Sequence, residues 1–195
     1  MATLADIGIK KNWTYETIIS CFNGDIPHSA PFGIKSPDME SVRLEIYKGS
    51  NTLDFILKQR EFVINFVDNP SYFFYSLYER AQIRFSEADI IKAPVIINCP
   101  AVIEAKITTS IEKTQSYIIN ADIINIIFNN IPRLFNRAEG LVMESLIAST
   151  RIGYMPEGKV SDILNENYRV IKKVAPESHY VGMMEKLLNK CSILK

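Results

Sequence analysis

The chain has 195 residues, 47% hydrophobic and 23% charged, a composition that excludes wholesale disorder. Lys and Arg total 22, Asp and Glu total 22, and the formal charge is zero. No nucleic acid and no membrane surface is therefore the expected partner, since polyanions and anionic membranes select a basic excess. The length suits one core with an appended helical subdomain. Cys21, Cys99 and Cys191 lie far apart with no Cys-x-x-Cys pair, which speaks against a disulfide scaffold and for a reducing, cytoplasmic setting. His28 and His179 are the two histidines, too few for a His-rich metal site, so no metal is expected. Residues 1–11 lack a signal-peptide core. The apolar stretch Tyr117–Phe128 is broken by Asn120, Asp122 and Asn125, short of the roughly 20 residues that span a bilayer.

In chain order, Tyr15 to Phe22 is β-branched and aromatic and predicts a strand, ended by Asn23-Gly24-Asp25. Pro27 to Ile34 carries two prolines, so it predicts an edge or gapped strand. Ser41 to Tyr47 alternates, with Val42, Leu44 and Ile46 on one face, and predicts a half-buried strand. Gly49-Ser50-Asn51-Thr52 follows, then Leu53, Ile56 and Leu57 at helical spacing. Glu61 to Val67 predicts a third strong strand. Ser71 to Phe85 predicts a helix, with Phe74, Leu77, Tyr78 and Ala81 at i, i+3, i+4 and i+7. Val95–Asn98, Ala101–Thr109 and Ser116–Phe128 predict further strands, with a turn or bulge at Asn120-Ala121-Asp122. Strands so unevenly separated by helices disfavour a doubly wound parallel sheet.

After Pro132 the pattern becomes helical. Asn136 with Glu139 three residues on looks like a capping box. Ala138, Leu141, Val142, Ser145, Ser149 and Ile152 form one helix face. Val160, Ile163, Leu164, Ile171 and Val174 form a second. Val181, Met184, Leu187, Leu188, Cys191 and Leu194 form a third. The expected division is residues 1–132 as a barrel and 133–195 as a three-helix extension.

No GxGxxG, Walker, HExxH or GxSxG motif is present. Cys21 with His28 suggests a nucleophile and base, but a cysteine in an apolar strand reads better as packing. Glu139 and Glu144 point in different directions on one helix and read as solvated or ion-paired with Arg137 or Arg151. Three features say more. Ser50-Asn51-Thr52 sits between a strand and a helix start, where free N–H groups and hydroxyls hold a phosphate; the plain alternative is an N-cap. Asn65 lies inside the apolar Phe62–Val67 and needs partners, either a ligand's edge or a neighbouring loop. The small-residue segment His28 to Gly33 can lie against a flat ring, or can simply be an edge strand guarded by proline.

In this order, the features resemble the flavin reductase-like, FMN-binding split β-barrel proteins, and more closely the DUF447 family. The resemblance rests on Thr17-Ile18-Ile19-Ser20, Ala30-Pro31-Phe32-Gly33-Ile34, Phe62-Val63-Ile64-Asn65 and Asn136-Arg137-Ala138-Glu139-Gly140. It covers nearly the whole chain. It implies an α+β, mainly β fold: an FMN-binding split β-barrel with a C-terminal helical extension. It further implies FMN held without a covalent bond at the interface of a homodimer. The phosphate would lie at Ser50, Asn51 and Thr52, and the ring against Ser29, Ala30, Pro31 and Phe32. Val63, Asn65 and Phe66 would offer backbone groups and an amide to the flavin's polar edge. His28 would stand at the mouth of the loop. No Arg or Lys lies within 50–52, so Arg137, at a helix start, is the candidate counter-charge.

The expected function is a flavin-dependent oxidoreductase that takes hydride from a small-molecule donor, a nicotinamide or a deazaflavin. The alternatives are a non-catalytic flavin carrier, sensor or assembly protein, and a plain α+β partner-binding protein.

Overall fold

The computed structural model describes residues 2–193. Leu194, placed on the third helical face above, lies outside them. The chain falls into two compact units: the chain up to Lys11 with Tyr15–Phe135, and Asn12–Thr14 with the chain from Asn136 onward.

In the first unit, α1 (Leu4–Ile7) is closed by a capping box between Thr3 and Asp6. β1 (Tyr15–Asn23), β2 (Ile26–Lys35) and β3 (Ser41–Tyr47) lead to α2 (Asn51–Gln59) and β4 (Glu61–Phe66). α3 (Ser71–Tyr78) and a 3-10 turn (Arg80–Gln82) precede the short strands β5 (Phe85–Glu87) and β6 (Pro94–Ile96). β7 (Ala101–Glu112) and β8 (Ser116–Phe128) complete the sheet. The six long strands close into a barrel in the order β1-β2-β3-β8-β7-β4, while β5 and β6 form a separate ribbon. Every strand pair is antiparallel.

The register explains the core. Ile18 pairs with Asn65 and Ser20 with Val63, while Asn65 pairs with Val102 and Val63 with Glu104. Because side chains alternate along a strand, these six share one face. The segment through β5 and β6 covers that face, and Ile18, Val63 and Val102 pack there with Ile83, Ile91, Val95 and Ile96. Ile19, Phe62, Ile64 and Ile103 point the other way and are fully buried, as side chains filling a small barrel must be.

One seam is nearly open. β2 pairs with β1 along its whole length, from Tyr15↔Ile34 to Asn23↔Ile26. With β3 it pairs at Ile34↔Leu44 and Lys35↔Arg43. Residues 26–33 therefore have, among the described residues, no strand on their other side. Pro27 and Pro31 lack the N–H that a second ladder would use, so the sequence itself keeps this edge unpaired. The paired end is held by the β2–β3 turn, where the Asp38 carboxylate accepts Glu40 N at 2.9 Å, Ser41 N at 2.7 Å and Ser41 Oγ at 2.7 Å.

Two expectations change. α3 ends at Tyr78 and Phe85 belongs to β5. Its buried side is Tyr72, Phe73, Tyr75 and Ser76, whereas Phe74, Leu77 and Tyr78 are exposed. An aromatic helix this short carries apolar residues at more than one helical spacing, so periodicity alone does not choose its face. β8 runs unbroken through Asn120-Ala121-Asp122. It carries its own extra residue further on, Ile124, between Ala105↔Ile123 and Glu104↔Asn125, while the bulge expected here lies on the partner strand, where Thr108 is the extra residue between Ile107↔Ala121 and Thr109↔Asn120. Asn120 holds the spot by accepting from Arg43 Nε at 2.7 Å and donating to Thr109 Oγ1 at 2.7 Å.

In the second unit, α4 (Arg137–Ser149), α5 (Lys159–Val174) and α6 (His179–Ile193) bury Ala138, Val142, Leu164, Ile171 and Met184 together. Asn136 caps α4 by accepting from Ala138 N at 2.8 Å. Its amide nitrogen donates to Thr14 O and Val174 O, tying residues 12–14 to this unit. Among the described residues no helix is long and apolar enough to cross a membrane.

Candidate functional site

Two of the predicted segments, the β2 edge and the start of α2, meet at His28 and Thr52. β3 ends in a tight turn whose Gly49 has φ of +84°, a conformation that favours glycine. α2 then starts at Ser50, which stands at the N-cap without a side-chain capping bond. Its carbonyl accepts Leu53 N at 3.0 Å. The first-turn N–H groups of Asn51 and Thr52 point beyond the helix end, as helix geometry requires, and Asn51 is exposed. This is a donor set of amides and hydroxyls with a favourable dipole, chemically suited to a phosphate.

β2 faces this turn. His28 Nε2 lies 2.8 Å from Thr52 Oγ1, and the two residues are 8% and 2% exposed. The imidazole meets Phe55 of α2 edge-on, with ring centroids 5.1 Å apart. Burial, and then the positive charge of Arg80, hold the His28 pKa below its usual value. Ser29 is buried, and Ala30, Pro31 and Phe32 are half-buried along the unpaired edge. The structure thus brings His28 of β2 to Thr52 of α2, while Ser29, Ala30, Pro31 and Phe32 continue along the same strand edge and Ser50 and Asn51 precede Thr52 at the helix start. Phe55 was missed by sequence reasoning, since it stands in no motif and is placed by tertiary packing.

The remaining candidates are used otherwise. Asn65 is fully buried; its Nδ2 donates to Ile18 O at 3.0 Å and Ser20 Oγ at 2.8 Å, and its Oδ1 accepts Ile96 N at 2.9 Å. It bridges to a neighbouring loop, and its amide is not presented to a ligand. Val63 packs under the same loop, and Phe66 is 2% exposed. β4 is paired on one side with β1 over Val63–Asn65 and on the other with β7 over Glu61–Phe66, so the ladders engage the backbone expected to meet a ligand. Arg137 is exposed at the first position of α4, in the other unit.

Cys21 stands opposite His28 across the β1–β2 pair. Burial pushes its thiol up to about 12, so it carries no thiolate at neutral pH. His28 is moreover engaged with Thr52, which leaves the nucleophile-and-base reading without support. Glu104, also missed, is fully buried and accepts the backbone N–H groups of Asp89, Ile90 and Ile91. A carboxylate so occupied shapes a loop.

The chain's similarities agree with this fold. The structure of an FMN-bound protein of family DUF447 from Methanosarcina mazei is 24% identical, covers 96% of this chain and 99% of its own, and has a TM-score of 0.57. The flavin reductase HpaC complexed with NADP+ is 19% identical, over 68% of this chain and 92% of its own, with a TM-score of 0.55. An FMN-binding protein from Thermus thermophilus with bound 1-cyclohex-2-enone is 11% identical, over 60% and 72%, with a TM-score of 0.52. No curated protein matches. At these identities the likeness establishes the fold, a flavin reductase-like split barrel. Two family models, described as the N-terminal domain of a protein of unknown function (DUF447) and as the protein of unknown function (DUF447), match residues 15–130 and 136–190. The chain belongs to the DUF447 family.

Proposed function

We propose that the chain binds FMN on the open side of its barrel and serves as a flavin-dependent oxidoreductase. The observation that carries the reading is the contact of His28, on the unpaired β2 edge, with Thr52 in the first turn of α2, within a split barrel. Proteins of the same fold are described as bound to FMN or complexed with NADP+. FMN, when bound, supplies the hydride chemistry. Ser50, Asn51 and Thr52 hold its phosphate through amides and hydroxyls. Ser29, Ala30, Pro31 and Phe32 offer small or flat side chains and an open strand edge to its ring. His28 anchors Thr52 from the opposite side of the cleft. Neither buried thiol is poised to ionise, which suits a reaction in which the protein binds and orients rather than exchanges protons.

The donor is a small molecule, a nicotinamide or a deazaflavin, using the same cleft as the flavin. The active form is a homodimer with the flavin at its interface, in a cytoplasmic setting. The exposed aromatic face of α3, with Phe74, Leu77 and Tyr78 at 49%, 47% and 73% exposure, supports association.

The test is the absorption spectrum of the purified chain with added FMN, followed anaerobically with NADH, NADPH or a reduced deazaflavin. Bound flavin that bleaches rapidly supports the oxidoreductase. Bound flavin that never bleaches points to the carrier or sensor reading. A chain that binds no flavin overturns both. Light scattering of the loaded protein checks the dimer.

A further inference from the structure

The 2.8 Å contact between His28 Nε2 and Thr52 Oγ1 has two possible directions. A threonine hydroxyl has one proton to donate and lone pairs that accept, and a neutral imidazole has one N–H and one bare nitrogen. Burial, and then the charge of Arg80, favour the neutral imidazole at His28, so its two nitrogens differ. Both residues are nearly shut off from water, at 8% and 2% exposure. Among the described residues the Thr52 hydroxyl has no hydrogen-bond partner besides His28. Its proton therefore has two destinations, the imidazole or a ligand lodged at the helix start.

The two directions have opposite consequences there. With the ring proton on Nδ1, Thr52 donates to the imidazole and offers a ligand only lone pairs, which repel a phosphate. With the ring proton on Nε2, His28 donates to Oγ1 and Thr52 keeps its own proton for an acceptor. The first-turn N–H groups of α2 are donors too, so in this second direction hydroxyl and amides ask for the same kind of ligand atom. Phe55, three residues on from Thr52, meets the imidazole edge-on with centroids 5.1 Å apart. Two contacts from one helix thus orient the ring.

We propose that His28 is a positioning residue that donates from Nε2 to Thr52 Oγ1, which dedicates the Thr52 hydroxyl proton to the flavin phosphate and makes the site select FMN over riboflavin. The inference rests on the flavin reading above. His28 itself needs no contact with the flavin. FMN ends in charged phosphate oxygens and riboflavin in a neutral hydroxyl, and a hydrogen bond to a charged acceptor is about twice as strong.

The first experiment reads the His28 ring in the full chain with isotope-labelled histidine, by long-range proton–nitrogen NMR, which tells a protonated ring nitrogen from a bare one. The chain has two histidines, and the His28 signal is the one lost in His28→Gln. In the FMN complex, in mildly alkaline buffer, Nε2 should carry the proton. A bare Nε2 overturns the inference. The second experiment measures FMN and riboflavin dissociation constants, with folding confirmed by circular dichroism. His28→Leu should weaken FMN about 10-fold and change riboflavin less than about twofold, the scale of a lost charged hydrogen bond. His28→Gln, whose amide donates in the same place, should recover most of that loss. Thr52→Val should weaken FMN by itself, and adding His28→Leu to it should cost nothing more, because His28 acts through that hydroxyl. His28→Gln no better than His28→Leu, equal losses for both flavins, or additive losses in the double variant would overturn the inference and leave the flavin reading standing. So would a wild type that binds FMN no more tightly than riboflavin. Where a variant fails to fold, the NMR result decides. A wild-type chain that binds neither flavin overturns the reading itself.

Discussion

Asn65 Oδ1 accepts a hydrogen bond from Ile96 N at 2.9 Å, and this contact fastens the β5–β6 ribbon to the barrel wall. The same carboxamide donates to Ile18 O and Ser20 Oγ. Ser20 Oγ in turn donates to Pro94 O, so one buried network joins β1, β4 and the ribbon. Satisfied networks of this kind rigidify, and partly satisfied ones are costly.

Asn65→Leu should therefore cost about 2–4 kcal/mol, because it strands the Ile96 N–H and the Ile18 carbonyl away from water. Urea unfolding measures the loss. Since the amide does not reach the open side, the folded fraction should keep its FMN affinity. A variant of full stability with weakened FMN binding would return Asn65 to the ligand.

Glu104→Gln keeps the shape of the side chain and replaces one acceptor oxygen with an NH2 group. The Asp89, Ile90 and Ile91 amides would then lose acceptor capacity. A loss of about 1–3 kcal/mol is expected. Hydrogen exchange should rise first at residues 89–91, ahead of the barrel strands.

Ser50→Ala with Thr52→Ala should lower FMN affinity by about 1–3 kcal/mol through lost charge-assisted bonds to the phosphate. Fluorescence titration reads it. FMN affinity unchanged in the double variant would remove the phosphate from the start of α2.

Stability should fall on mild acidification through His28. Its folded pKa lies below the usual 6.5, so the unfolded chain takes up the proton first. The contribution is complete above 6.5 and is lost as the pH drops through the lower folded value. Thermal melts across this window should show it, and His28→Gln should flatten that part of the profile.

Asp38→Ala should loosen the paired end of the β2–β3 seam. Three hydrogen bonds from Glu40 and Ser41 hold the Asp38 pKa down at about 2, so the clamp persists through all but strong acid. Exchange of the Glu40 and Ser41 amides should rise about tenfold in the variant.

The local elements are legible in the sequence. Alternation in Ser41–Tyr47, the prolines of 27–34, the small residues after Gly49 and the helical spacing beyond Asn136 are properties of neighbouring residues. Each carries a short-range consequence: a face, an unpaired edge, a helix start, an amphipathic stripe. These determined the strands and helices, and the resemblance they carry pointed to the split barrel.

The partners were decided by tertiary structure alone. Whether Asn65 meets a ligand or a loop depends on Ile96, remote in sequence. Which side of α3 is buried depends on the barrel face beneath it, because its aromatics suit more than one face. Phe55 meets His28 only because α2 packs against β2. Strand pairing and the docking of helices on a sheet join residues distant in sequence, and local periodicity holds no record of such joins.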